Sequence, residues 1–442
     1  MKSLCEVAAS LQIPCEIDTP LTGVSIDSRS VKPGALFVAL RGDRFDGHAF
    51  IQEAIAKGAA AVLCSEAIKL NVPFLRVPDS LVALTQMASA YRQTLACEVI
   101  ALTGSNGKTT VKEMIAAILP PPSFKTPGNL NNHIGVPLSV LRVQPEDRYA
   151  VFELGANHPG EIAHTVAIVR PDVALINNIA PAHIGEFGSI EEVARAKGEI
   201  YQGLGVSGTA IVNDDDLFAH AWDAPLRSKH TVRFSVDHSA AVQAKDRIFT
   251  EEGCAHFRLV LPEGEADVAL RVVGAHQVRN ALAAAACTDA LGIPITTIVS
   301  GLERFSGVSG RMSFLAGKNN SVVIDDTYNA NLRSSLAALD VLAARSGRRI
   351  FVFGDMGELG SWCLAHHQEV GSAARDHGIE ALMTCGVASE ETVKAFGSAG
   401  KHYRDHDDLI SDLLGQLNEQ TTVLVKGSRS SRMEKIVQQL LR

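Results

Sequence analysis

"ALTGSNGKTT" (101–110) joins a β-branched apolar run, Val99 to Thr103, to a stretch with helical apolar spacing, Lys108 to Leu119, which "PPP" at 120–122 stops. The usual phosphate-loop signature has a glycine five positions before Gly107. Here that position is Leu102, which leaves G-x-x-G-K-T. Strand, glycine loop and helix still follow in the order a phosphate site needs. Free N–H groups and the positive dipole end at a helix start favour anions, and Gly104 and Gly107 let the backbone approach closely. Gly104, Ser105, Asn106, Gly107, Lys108, Thr109 and Thr110 are therefore candidate nucleotide-binding residues. Lys108 can neutralise β and γ phosphates, and the Thr109 hydroxyl can ligate Mg²⁺. The bland alternative, a glycine turn with a helix cap, fits the loop alone less well than its strand–loop–helix setting. A nucleoside triphosphate is implied; a reaction is not.

Outward from this loop the chain divides into three α/β segments. From about 20 to 80, short β-like stretches ("LFVAL", "AAVLC", "PFLRV") alternate with the helical "AFIQEAIAKG", and "LVALTQMASAYRQTL" reads as a helical connector. "EVIALTG", "YAVFELG", "VALINNI" and "TAIVN" are continuous apolar runs, as strands of a parallel sheet covered on both faces are. After Arg311 the alternation restarts with "SVVIDD", "RIFVFGD", "ALMTCG" and "TTVLVKG", separated by helical stretches, a second doubly wound unit. The expected fold is α/β in three domains: 1–82, 83–312 with a parallel P-loop sheet, and a Rossmann-like 313–442.

A length of 442 residues suits several cores. With 41 basic and 49 acidic residues, a formal charge of -8 and no basic stripe, the balance argues against nucleic acid as a partner. No apolar run approaches the roughly 18 to 20 residues of a membrane helix, and Glu6 interrupts the only candidate signal core, so a cytoplasmic protein without membrane insertion is expected. Eight cysteines occur singly, without C-x-x-C spacing. They read as buried free thiols, with neither a zinc site nor a disulfide framework indicated.

A wider set of motifs carries a resemblance. In order they are "IDSRSVKPGALFVALRGDRFDGHAF" (26–50), "TGSNGKTT" (103–110), "TPGNLNNHIGVPLSVL" (126–141), "ELGANHPGEI" (153–162), "APAHIGEFGSIEEVARAKGEI" (180–200), "GAHQVRNALAAAA" (274–286), "SGRM" (309–312), "IDDTYNAN" (324–331), "FGDMGELG" (353–360) and "VKGSRSSRMEKIV" (425–437). Together they resemble the Mur ligase family over nearly the whole chain, and the shortened P-loop is also what that family uses. "ELGANHPGEI", "DDTYNAN" and "VKGSR" look like the members that add a D-alanyl-D-alanine dipeptide to a UDP-N-acetylmuramoyl-tripeptide. The resemblance implies ATP-dependent amide ligation through an acyl phosphate; a monomer is expected. It implies a UDP-holding first domain, a central ATPase domain and a third domain that closes over both. "ELGANHPGEI" and "DDTYNAN" argue against family members that add one amino acid and against folylpolyglutamate synthase. A transport or regulatory NTPase would hydrolyse ATP without an acyl acceptor, and a non-catalytic scaffold would not need the Lys108, Glu153, His183 and Lys197 set.

Residue by residue, the resemblance implies that Thr109 and Glu153 hold one Mg²⁺, with His183 at a second. Glu153 ends the strand "YAVFE" and His183 follows "VALINNI", so both project from strand ends, where open α/β sheets bind ligands; a solvated carboxylate and a loop histidine remain the alternatives. Lys197 lies in a helix opened by Ser189 with Glu192 three later, a capping-box pattern. Its charged neighbours suit a solvated face, whereas the resemblance makes Lys197 a carbamate ligand of Mg²⁺. Asn280 would bond adenine, Arg311 the γ phosphate, and Asp326 the ribose or phosphates. Ser28, Arg29, Asp46, Gly47 and His48 would grip uridine and pyrophosphate, against a plain polar surface as the alternative. "TPGNLNN" reads as a loop whose Asn129, Asn131 and Asn132 would reach the muramoyl-tripeptide. Tyr328, Asn329, Asn331, Lys426, Ser428 and Arg429 would face the site from the third domain, and Ser431 with Glu434 forms another capping-box pattern. Gln277, Leu332 and Glu186 depart from the family's usual residues.

Overall fold

The computed structural model describes residues 1–42, 45–181 and 184–442. Among these, three sheets follow one another along the chain. The first has the parallel order Val24–Ser25, Leu36–Val38, Ala61–Cys64, Phe74–Arg76. The second runs Gly264–Val273, Cys254–Leu261, Val242–Phe249, His230–Ser235, Thr209–Asn213, Val173–Ile176, Glu98–Thr103, Tyr149–Glu153, Ser123–Lys125. The third runs Ser313–Ala316, Val322–Asp326, Thr421–Lys426, Arg348–Gly354, Ala381–Cys385, Gly400–Tyr403.

The inner parallel strands of each sheet are buried on both faces, and their successive side chains alternate between the two. Ile100 and Leu102 enter one core of the central sheet with the alanine-rich helix His276–Asp289, while Val99 and Ala101 enter the other with Ile162 and Val193. Phe351 and Phe353 likewise split from Ile350 and Val352 in the third sheet, and Leu36 and Val38 from Phe37 in the first. The helix Ser80–Thr94 links the first two units: Ala83, Leu84 and Met87 pack in the first core and Ala88 in the second.

Several sequence expectations need correction. The central sheet is not wholly parallel, since Val242–Phe249, Cys254–Leu261 and Gly264–Val273 form an antiparallel meander. These strands alternate polar and apolar residues, a half-exposed pattern unlike the continuous apolar runs of the parallel part. Cys5 and Cys15 are paired as a disulfide rather than free, and Cys254 and Cys363 are only half-buried. Ser431 forms no cap. It sits in a one-turn helix, donates its hydroxyl to Asp355 O at 3.1 Å, and the last helix instead starts at Glu434 after Met433. Ser189 does cap its helix, its hydroxyl accepting the Glu192 N–H at 3.2 Å. No helix among the described residues is long and apolar enough to cross a membrane.

Candidate active site

The strand Glu98–Thr103 lies inside the central sheet between Val173–Ile176 and Tyr149–Glu153, and its carboxyl end delivers the loop 104–107 to the helix Lys108–Ile118. Gly107 has φ +79°, and a Cβ there would stand 2.5 Å from Asn177 Nδ2 and 2.6 Å from Asn280 Oδ1, so the position needs glycine. Two adjacent asparagines brace the loop. Asn178 Oδ1 accepts the Asn106 N–H at 2.9 Å, and Asn177 Nδ2 donates to Asn106 O at 2.9 Å. Ser105 donates its hydroxyl to Ala180 O at 2.9 Å. These braces come from "VALINNIAP", a segment whose asparagines the sequence reading passed over; two adjacent amides at the end of an apolar strand were the available signal.

Glu153, 2 % exposed, is held from three sides. The Thr109 hydroxyl donates to Oε2 at 2.9 Å, Asn131 Nδ2 donates to Oε1 at 2.9 Å, and Lys112 Nζ stands 3.8 Å from Oε2. Two hard oxygen donors, from Thr109 and Glu153, thus meet beside the phosphate loop, as a Mg²⁺ site requires. Arg311 Nη2 donates to the same Thr109 hydroxyl at 2.9 Å, and the guanidinium lies 4.0 Å from the centre of the Tyr328 ring. Lys112 was not singled out in the sequence. It is buried and donates to Thr126 O at 3.0 Å and Gly128 O at 3.3 Å, which ties the asparagine loop to the P-loop helix.

Lys108 folds back, donating to Gly104 O at 2.7 Å. Burial lowers its pKa, the Glu153 carboxylate opposes that shift, and Arg311 adds to it. Lys197 is 1 % exposed, so the solvated-face alternative fails. Burial, with repulsion from Lys108, pushes its pKa down to about 7. An ammonium would repel a cation, and the lowered pKa raises the share of neutral amine, the form that can take up CO₂ and become an oxygen donor. His183 lies outside the described residues.

The third domain closes this site. The parallel register sets Asp326 opposite Lys426, and Nζ meets Asp326 Oδ2 at 2.6 Å and Asn329 O at 2.9 Å. Asn331 caps the helix Leu332–Ala343 with its oxygen, while its Nδ2 donates to Asn106 Oδ1 at 2.7 Å. Arg333 Nη1 donates to Ile179 O at 3.0 Å. Between the domains lies a cavity of about 470 Å³ lined by Ser105, Asn106, Gly107, Lys108, Thr110, Asn129, Asn131, Asn132, Glu153, Asn280, Arg311, Asp326, Tyr328, Asn329, Asn331 and Lys426. His276, Arg279 and Arg333 also line it, and their roles were not read from the sequence.

Other expected residues sit apart from this cavity. Ser28 donates to Glu53 Oε2 at 2.8 Å, Arg29 pairs with Asp27, and His48 Nδ1 meets Asp46 Oδ1 at 2.5 Å on the first domain. Gly47 is required there, because a Cβ would stand 2.6 Å from Leu40 O. Ser428 is buried against Ser430 and Ser431, and Arg429 is exposed beside Glu434; neither lines the cavity. The departures are accommodated locally. Gln277 Oε1 accepts Asn280 Nδ2 at 3.0 Å, Leu332 occupies the first helical position where proline is also tolerated, and Glu186 lies 4.0 Å from His158.

Comparison with known proteins agrees with this arrangement. Residues 20–100 match the Mur ligase family catalytic domain, 102–288 the Mur ligase middle domain, and 310–429 the Mur ligase glutamate ligase domain. The chain is 44% identical to a UDP-N-acetylmuramoyl-tripeptide--D-alanyl-D-alanine ligase of Escherichia coli (96% of this chain, 94% of that protein). It is 34% identical to the protein of the same name from Bacillus subtilis (100% and 98%). A crystal structure of MurF from Acinetobacter baumannii superposes with a TM-score of 0.92 at 35% identity, covering 99% of this chain and 98% of that one. MurF ligase from Thermotoga maritima in complex with ADP gives 0.82 at 28% identity, covering 94% and 96%. The chain belongs to the Mur ligase family, in the group of UDP-N-acetylmuramoyl-tripeptide--D-alanyl-D-alanine ligases.

Proposed function

We propose that this chain uses ATP to join D-alanyl-D-alanine to the terminal carboxylate of a UDP-N-acetylmuramoyl-tripeptide, giving the pentapeptide precursor, ADP and phosphate. The observation that carries this reading is the single cavity in which the P-loop, Glu153 and the asparagine loop face Arg311, Asp326 and Lys426. A carboxylate is a poor electrophile, and phosphorylation gives it a leaving group. Its oxygen attacks the γ phosphorus, ADP leaves, and the dipeptide amine then attacks the acyl carbon. The tetrahedral intermediate expels phosphate and the new amide nitrogen gives up its proton.

Such chemistry needs positioning and charge neutralisation more than a protein nucleophile. In this reading Lys108 turns from Gly104 O to the β and γ phosphates, and Arg311, steadied on Tyr328, meets the γ phosphate. Asn280 faces adenine, Asp326 the ribose or phosphates, and Asn129, Asn131 and Asn132 the tripeptide. Tyr328, Asn329, Asn331, Lys426, Ser428 and Arg429 belong to the closing face, and Ser28, Arg29, Asp46, Gly47 and His48 hold the UDP end. Mg²⁺ held by Thr109 and Glu153, with a second ion at His183 and a carbamoylated Lys197, would supply further neutralisation of phosphate charge. The reading takes the chain as a monomer acting in the cytoplasm, with domain limits near 82 and 312.

The test is product formation from ATP, Mg²⁺, D-alanyl-D-alanine and each tripeptide nucleotide, ending in L-lysine or meso-diaminopimelate. Ligation demands both substrates, whereas a transport or regulatory NTPase would release ADP without either.

A further inference from the structure

"FGDMGELG" (353–360) supplies none of the residues assigned above, yet Gly357, Glu358 and Leu359 line the cavity. The segment leaves the strand Arg348–Gly354 and is pinned at several points. The Asp355 carboxylate accepts the N–H groups of Val387, Ala388 and Ser389 at 2.9, 3.0 and 2.8 Å. At the far end Gly185 N donates to Glu358 O at 3.3 Å, and the backbones of Gly185 and Gly360 pack without room for a side chain. This seam sets the third domain against the helix Ile184–Phe187 of the central one.

Between those anchors the Met356 N–H points inward and donates to His367 Nε2 at 3.0 Å. His367, on the helix Cys363–Asp376, is fully buried beside Phe353. Its Nδ1 lies 2.7 Å from Cys363 O, a carbonyl that can only accept. Nδ1 therefore carries the proton and Nε2 offers its lone pair, so the neutral tautomer is fixed by the helix itself. Burial also lowers the ring's pKa, in keeping with a neutral imidazole.

We propose that His367 is a positioning residue: by accepting the Met356 N–H it holds the 357–359 wall against the central domain and keeps water from the activated carboxyl. This rests on the acyl-phosphate reading above. The competing reaction is attack of water on the acyl carbon, with the carbon–oxygen bond to phosphate breaking, so that carboxylate and inorganic phosphate return and the net result is hydrolysis of ATP. A loosened wall therefore shows as ADP formed without amide, not simply as lost activity.

The experiment counts ADP and pentapeptide in one reaction for the unsubstituted chain and for His367→Gln, His367→Asn and His367→Leu. Glutamine can place an acceptor oxygen where Nε2 stands; asparagine is too short and leucine has no acceptor. The leucine and asparagine variants should release about fivefold more of the ADP that is unaccompanied by amide, the change in partition one hydrogen bond sets, and glutamine should restore the wild-type ratio. An unchanged ratio in leucine, or equal ratios in glutamine and leucine, overturns the inference. Should the substituted chains not fold, ¹⁵N shifts of His367 in the wild type decide: a neutral Nδ1–H ring supports the role, an Nε2–H or doubly protonated ring refutes it. A wild type that forms no pentapeptide at all refutes the functional reading instead, and leaves the tautomer measurement to judge this one.

Discussion

Lys108 and Glu153 carry the residue-scale argument. Lys108 donates to Gly104 O, and the cost of burying its ammonium near Arg311 and Lys197 outweighs the attraction of Glu153, so the fold does not rely on its charge for stability. Lys108→Ala should therefore keep the native melting profile while ligation falls by about 10²–10³-fold, as loss of one transition-state charge partner does; near-wild-type turnover would sink the P-loop assignment. Lys197 makes a pH-dependent prediction. Its folded pKa of about 7 lies below the 10.5 of a free lysine, so between those values the unfolded chain binds one more proton and stability rises with pH. In CO₂-free buffer, wild type should gain on Lys197→Met in melting temperature as pH climbs from 7 to 9, and lose the gain below 7. A flat difference across that window would show the amine is not desolvated as described. If the residue is carbamoylated, Lys197→Ala should be inactive and partly rescued by short carboxylates; no rescue, with an unmodified mass, counts against the metal role.

At the scale of elements, the direct tie between the P-loop helix and the backbone of the asparagine loop is a buried ammonium, beside the bridge that Glu153 makes from Thr109 to Asn131. Lys112→Met keeps the volume but leaves the Thr126 and Gly128 carbonyls without their donor, which should destabilise the fold by about 1–3 kcal/mol. Denaturant unfolding measures it, and an unchanged midpoint would mean the loop is held by other contacts. Much at this scale was legible in the sequence. Strands with continuous apolar runs, such as "EVIALTG" and "TTVLVKG", announce themselves because both faces are buried. The meander from 242 to 273 was missed because its strands alternate and carry charges. Lys112 was missed for a different reason: burial of a lysine depends on carbonyls 14 and 16 residues away, which no local pattern records. The capping pattern at Ser431 misled because the backbone turns left-handed at Arg432 before the helix begins.

For the whole molecule, the interdomain bonds that hold the closed arrangement include Asn331 to Asn106, Arg333 to Ile179 O and Gly185 N to Glu358 O. The double variant Asn331→Asp, Arg333→Ala, which keeps the cap oxygen of the helix Leu332–Ala343 but removes both interdomain donors, should shift the solution ensemble toward a more extended shape, read as a larger radius of gyration by X-ray scattering, with melting little changed. An identical scattering curve would place the closure energy elsewhere. The order of three domains was legible because motifs lie in sequence, but the pairing of Asp326 with Lys426, one hundred residues apart, appears only once the third sheet sets its register. The central claim is amide ligation, and mass spectrometry of one reaction tests it most directly. With ATP, Mg²⁺, D-alanyl-D-alanine and a UDP-N-acetylmuramoyl-tripeptide, the account predicts pentapeptide and ADP in equal amounts, neither forming when the tripeptide nucleotide is left out. ADP released without pentapeptide, or a product extended by a single amino acid, would contradict it.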